Sequence, residues 1–241
     1  MRIAVFCLLG SVLVAGLAVG IGFWRYGLWG LFVRQPAGRT GVLAWEDLGP
    51  TPLGEKRFTP QGMTFVRGQI VFANTWKNAR SRVYRLQPPR MEIVGHFDMP
   101  SEAVHTSGLA IDRRHLWAVD YIANRCYQSD LDASLAKGQA QVPGSFDTGL
   151  GGTSACCFLE YEGRQCLAIS DFMRKRRTYV VRHEDALKAG HMRDAIVFSY
   201  RNEGFSQGLE YDGRFLYESE NKRGLDVVNR LDVAALVRTG S

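Results

Sequence analysis

The stretch Phe205-Ser-Gln-Gly-Leu-Glu-Tyr-Asp-Gly-Arg-Phe-Leu-Tyr-Glu-Ser219 decides the fold of this chain. It reads as two strands meeting at an Asp212-Gly213 turn, then a polar step and a third strand over Leu225-Asp-Val-Val228. Three looser copies lie upstream. The first runs through 58–65, turns at Arg67-Gly68, and continues over 69–74 and 82–86. The second spans 105–112, turns at Arg113-Arg114, and continues over 116–120 and 125–129. The third spans 153–161, turns at Glu162-Gly163, and continues over 166–171 and 177–181.

A repeat of about 50 residues built from short strands and Gly, Asp or Asn turns is the mark of a propeller blade. The expected fold is all-β, a small β-propeller of four or five blades over residues 42–241. A strand at Val42-Leu-Ala-Trp45 is expected to join the last blade and close the ring, protecting the sheet edges. Helix formers behind an early acid predict short helices over 130–137 and 183–188, both placed between blades, and another over 231–238.

Ile3 to Trp24 is an apolar run of 22 residues without a charge. At about 1.5 Å per residue it is long enough to cross a bilayer as a helix. Trp24, Tyr26 and Trp29 suit an interfacial belt, and apolar character resumes after Arg25, which favours an anchor over a cleaved signal peptide. The expected organisation is an N-terminal transmembrane helix or signal segment in 1–34 and a linker over 35–41. The charges flanking the run favour a cytoplasmic domain by the positive-inside rule. The short positive start before a long apolar run is the usual export signal, and the expectation is a membrane-anchored, extracytoplasmic (periplasmic) domain.

The net charge of +6 reflects 24 arginines against 6 lysines. They are scattered, apart from Arg174-Lys-Arg-Arg177, and no helix or aromatic-basic platform accompanies that run, so nucleic acid is not an expected partner. A basic turn beside an anionic membrane is the simpler reading. Of the five cysteines, Cys7 lies in the apolar run, while Cys156, Cys157 and Cys166 flank one hairpin, where a Cys157–Cys166 bridge is open to an oxidising compartment. No spacing reads as a zinc site.

The first strand of a blade lines the central channel. Here it is entered by Gln61-Gly62, Ser107-Gly108, Ser154-Ala155 and Gln207-Gly208, where a small residue lets neighbouring blades crowd the axis. Gln61, Ser107 and Gln207 are therefore candidate ligand-binding residues, with His105 at one corner and Trp76 and Trp117 as walls of a mouth. The ends of the second strands carry Asn74, Asp120, Asp171 and either Glu218 or Glu220. Converging oxygens of that kind suit calcium, crowded carboxylates suit general acid–base work, and solvated turn acids pairing with arginine suit neither. No Gly-x-Ser-x-Gly elbow and no HExxH is present.

Phe205-Ser-Gln-Gly-Leu209 and Tyr217-Glu-Ser219 resemble the signature of the plant-type glutamine cyclotransferases, β-propellers with a Phe-Thr-Gln-Gly-Leu stretch followed by Tyr/Phe-Glu-Ser. Phe58-Thr-Pro-Gln-Gly-Met63 echoes the same start, while Leu116-Trp-Ala-Val-Asp120 with Asn124-Arg125 is similar to NHL and lactonase-type blades. The first resemblance implies cyclisation of an N-terminal glutamine to pyroglutamate, with Glu218 as the catalytic proton carrier. The second implies a calcium-dependent hydrolase using Asn74, Asp120 and Asp171. In the cyclotransferases the signature sits early, whereas here the Glu-bearing copy comes last and the early copy has Ala73-Asn74. The leading expectation is therefore a propeller that binds a small molecule, a peptide or a partner protein at its channel mouth.

Overall fold

The computed structural model describes residues 58–76, 80–172, 174–222 and 225–237. Each predicted unit forms one antiparallel sheet whose strands follow chain order, in a four-bladed, propeller-like arrangement. Blade 1 holds β1 (Phe58–Val66), β2 (Gln69–Trp76), β3 (Arg80–Gln87) and β4 (Glu92–Asp98). Blade 2 holds β5 (Thr106–Ile111), β6 (His115–Asp120), β7 (Arg125–Asp130) and β8 (Gly144–Asp147). Blade 3 holds β9 (Thr153–Tyr161), β10 (Arg164–Asp171), β11 (Arg177–Val181) and β12 (Ile196–Arg201). Blade 4 has three strands among the described residues: β13 (Phe205–Tyr211), β14 (Phe215–Lys222) and β15 (Leu225–Asp232).

The outer strands β4, β8 and β12 are absent from the sequence reading. They are edge strands with little to bury, and β4 is exposed at most positions, so the period-two signal is missing. Their presence corrects the placement of the helices. Helices α1 (Leu131–Lys137) and α2 (His183–Ala189) lie inside blades 2 and 3, between third and fourth strands, and not between blades. The Asp130 carboxylate caps α1 by accepting the Ala133 N–H at 2.9 Å, and Gly138 ends it at φ 66°. A last helix, α3, covers Val233–Val237.

Local chemistry closes the hairpins in two ways. Arg67-Gly68 and Glu162-Gly163 take positive φ at both residues, the geometry that matches strand twist in a two-residue turn. Asp112 and Asp212 each accept the N–H groups two and three residues on, at 2.6–2.9 Å.

Alternation along the strands turns one face of each blade to its predecessor and the other to its successor. Val71, Ala73, Val83 and Phe97 of blade 1 meet Leu109, Leu116, Ala118 and Tyr127 of blade 2. Trp117, Val119 and Phe146 meet Cys156, Leu167 and Ile169. Ala155, Cys157, Leu159 and Ala168 meet Leu209 and Leu216. A fourth cluster, Ile70, Phe72, Tyr84, Leu86 and Met91, lies on the face of blade 1 turned away from blade 2.

Along the innermost strands β1 packs on β5, β5 on β9 and β9 on β13. A Cβ added to Gly62 would stand 2.6 Å from Gly108 Cα, and one on Gly108 2.7 Å from Ala155 Cα. The small residues at the corners are there because backbone meets backbone.

The apolar run, the linker, and the strand expected at 42–45 lie outside the described residues. Among the described residues no helix is long and apolar enough to cross a membrane. The four cysteines outside the apolar run are free and buried. Cys157 faces Ala168 and Cys166 faces Leu159, so a bridge between them, the alternative to buried free thiols, would run diagonally across the ladder. Diagonal neighbours stand about 7–8 Å apart, beyond disulfide reach.

Candidate functional site

Each innermost strand breaks register at one place. Thr106 faces Asp120 while Gly108 faces Val119, leaving Ser107 as the extra residue. Ser206 faces Glu220 while Gly208 faces Ser219, leaving Gln207. Thr153 faces Asp171 while Ala155 faces Ser170, leaving Ser154. In blade 1 the break falls between Pro60 and Met63, at Gln61-Gly62. A bulge re-aims the side chain it carries, and here the four bulged residues line one cavity. Gln61, Ser107, Ser154 and Gln207 share a space of about 490 Å³ with His105, Tyr121 and Phe172, a volume in the range of small-molecule sites.

The two serines are held from behind. Ser107 Oγ donates to Thr153 O at 2.6 Å, and Ser154 Oγ and Ser170 Oγ are 2.8 Å apart. The wall is a chain of rings: His105 to Tyr121 at 5.3 Å between centroids, Tyr121 to Phe172 at 6.3 Å, and Phe172 to Phe205 at 5.3 Å. Arg176 extends it, with its guanidinium 4.4 Å from the Phe205 ring centre. Burial holds the His105 imidazole below its usual range, against the opposing pull of Asp120. The lining contains no carboxylate.

The sequence points to Gln61, Ser107, Gln207 and His105 as candidates and places Ser154 at the fourth corner, but Tyr121, Phe172 and Phe205 were missed. A usable signal was there: Tyr121 and Phe172 directly follow the acids ending β6 and β10, and Phe205 directly precedes Ser206.

Trp117 lies elsewhere. Fully buried between blades 2 and 3, it meets Phe158 and His183 edge to face and donates its indole N–H to Asp112 at 2.8 Å. The side chain of Trp76 lies outside the described residues.

The three residues suggested as metal ligands occupy one register position on three blades, and alternation carries each into a different space. Asp120 shares its strand face with Leu116 and Ala118, and Asp171 with Leu167 and Ile169. Asn74 lies on the Ile70 and Phe72 side, buried, and neither amide atom has a partner. The Asp120 carboxylate accepts three backbone N–H groups, from His105, Ile122 and Ala123, at 2.6–2.9 Å. Asp171 accepts those of Arg174 and Lys175. These oxygens tie turns to strands, and the donor set does not fit calcium, which needs several of them on one point. Among the described residues no three His, Cys, Asp or Glu side chains gather to hold a metal.

The pairing also settles which acid of blade 4 is equivalent. Glu220 faces Ser206 as Asp120 faces Thr106, so Glu220 is the turn acid, and it accepts the Gly204 N–H at 2.7 Å. Glu218 faces Leu209 as Ala118 faces Leu109, a core position between blades. Only 1% exposed, its carboxyl accepts from Thr178 Oγ1 and Asn202 Nδ2, both at 2.9 Å, and from Tyr200 OH at 3.1 Å. Burial pushes its pKa up, with the hydroxyls pulling the other way. It is a blade-to-blade clasp that does not line the cavity.

No protein-family model matches the sequence, and no curated protein does. Solved structures do match in fold. The glutaminyl cyclase of Myxococcus xanthus aligns with a TM-score of 0.51 at 16% identity, over 76% of this chain and 74% of that one. The chain therefore has a glutaminyl-cyclase-like propeller fold. Hydrazine synthase of Kuenenia stuttgartiensis aligns at 14% identity and a TM-score of 0.49, over 76% of this chain and 49% of that one. BamB of Moraxella catarrhalis aligns at 11% and 0.41, over 73% and 48%.

Proposed function

We propose that this protein is a binding propeller whose channel mouth takes a small molecule, or a short segment of a partner, between the four bulged residues and the aromatic wall. The observation that carries the reading is the convergence of Gln61, Ser107, Ser154 and Gln207, one from each blade, on one cavity. Four separate register breaks aimed at one space are a costly way to fill a core, since each interrupts a hydrogen-bonded ladder. A thermal-shift screen of small molecules tests it, run on the wild type and on Gln61→Trp/Gln207→Trp, which fills the cavity from two sides. Compounds are expected that raise the wild-type Tm by several degrees and leave the variant unmoved. Equal shifts in both proteins, or none in either, would overturn the reading.

Cyclotransferase activity is the alternative, supported by the fold likeness and by the raised proton affinity of Glu218. Against it stands the place of Glu218: its oxygens are occupied by Thr178, Asn202 and Tyr200 between two blades. A group that shuttles a proton must reach the reacting amine. Membrane anchoring through the N-terminal segment and an extracytoplasmic location belong to the same proposal.

A further inference from the structure

We infer that the ligand of the mouth is an organic anion, held by Arg174 and Arg176 outside an uncharged interior. The inference rests on the mouth being a binding site and names the charge of what it binds. The seven lining residues include no Asp, Glu, Lys or Arg. His105, whose imidazole burial keeps neutral to lower pH, adds no standing charge. Selectivity for charge must therefore come from the rim.

The rim next to the aromatic wall is the β10–β11 turn. Asp171 fixes it by accepting the Arg174 and Lys175 N–H groups, and Asn202 N–H donates to Arg176 O at 2.8 Å. Arg176 lies over Phe205, which touches Phe172 of the lining. The Arg174 side chain lies against Gly151, beside Gly152, where a Cβ would meet the Tyr121 ring at 2.6 Å. Arg176 is thus one ring removed from Phe172 of the lining, and Arg174 lies one residue along the chain from the glycine that Tyr121 covers. Both are exposed, and neither enters any ion pair among the described residues. Elsewhere Arg67, Arg82 and Arg182 each meet a carboxylate within 3.2 Å. Two guanidiniums without an ion pair, on the turn that follows Phe172 of a carboxylate-free lining, suit a carboxylate or a phosphate. They repel an amine.

The test uses the full chain in a non-ionic detergent and four probes sharing one aromatic ring: phenylacetate, phenyl phosphate, phenylacetamide and phenethylamine. Saturation-transfer NMR reports which ones bind. Phenylacetate, phenyl phosphate or both are expected to bind more tightly than the amide, and the amine least, with the better anion telling carboxylate from phosphate. Arg174→Gln and Arg176→Gln should each weaken the anion about two- to fivefold, the range for an exposed charge pair, without changing the amide. Raising NaCl should act in the same direction. Arg90→Gln, on the outer turn of blade 1, should change nothing. Amine binding equal to anion binding would overturn the charge assignment and leave the binding reading standing. Failure of all four probes would also overturn it, while the thermal screen judges the cavity independently.

Discussion

Glu218 shows how one residue can keep its neighbours' register and change its chemistry. Its position in β14 is held by Ala118 in β6 and by Ile169, opposite Cys156, in β10. A carboxyl there is tolerable because blade 3 brings two hydroxyls and an amide to it. Burial raises its pKa, so the stabilising state is the protonated one. That contribution is complete below the ordinary carboxyl range and is lost as pH rises through the raised native value. Asp120, raised mainly by burial, acts in the same sense. Relative to Glu218→Gln, the wild-type Tm should therefore fall as pH rises from about 4, the unperturbed carboxyl value, a difference read from a pH series of thermal melts on both proteins. Glu218→Ala empties a buried site and takes a hydrogen bond from each of Thr178, Asn202 and the half-buried Tyr200, and should cost about 2–4 kcal/mol in urea unfolding.

At the scale of the element, the four small residues after the bulges look equivalent in sequence and are not equivalent in space. A methyl on Gly62 or Gly108 meets the backbone of the next blade, whereas one on Gly208 meets, among the described residues, only the Ser219 hydroxyl at 2.9 Å. Backbone cannot yield as a side chain can. Gly62→Ala and Gly108→Ala should each cost about 1–3 kcal/mol, and Gly208→Ala under about 1, measured by urea denaturation. The hairpins were legible because their turns are written in local chemistry: Gly after a residue able to take positive φ, or Asp before two exposed N–H groups. The outer strands were not, because edge strands bury little and leave no alternation to read.

Across the whole molecule, core and cavity are both built between blades. Cys126, Cys156, Cys157 and Cys166 all lie in inter-blade clusters, and burial raises every one of these thiols. They should stay unreactive to a thiol reagent in the native protein and react together on unfolding. A Gln-initiated peptide should release no ammonia above the Glu218→Gln background. Ammonia release lost in that variant, with its fold intact by circular dichroism, would establish the cyclotransferase reading instead.

The chain's local order carried the repeat, the strand pairs, the turns and the four polar residues at the channel corners, since each depends on near neighbours in sequence. The motif around Phe205 and Ser219 was enough to place the blades. Direction across the blades was decided only by the tertiary structure. A one-residue bulge and a two-residue step along a strand look alike in sequence, yet they send Gln207 into the cavity, Glu218 into the space between blades, and Glu220 to a turn. The acids Asp120 and Asp171, aligned by the repeat, are carried by the same alternation into separate interfaces. Register is a property of paired strands, and pairing exists only once the sheet has formed.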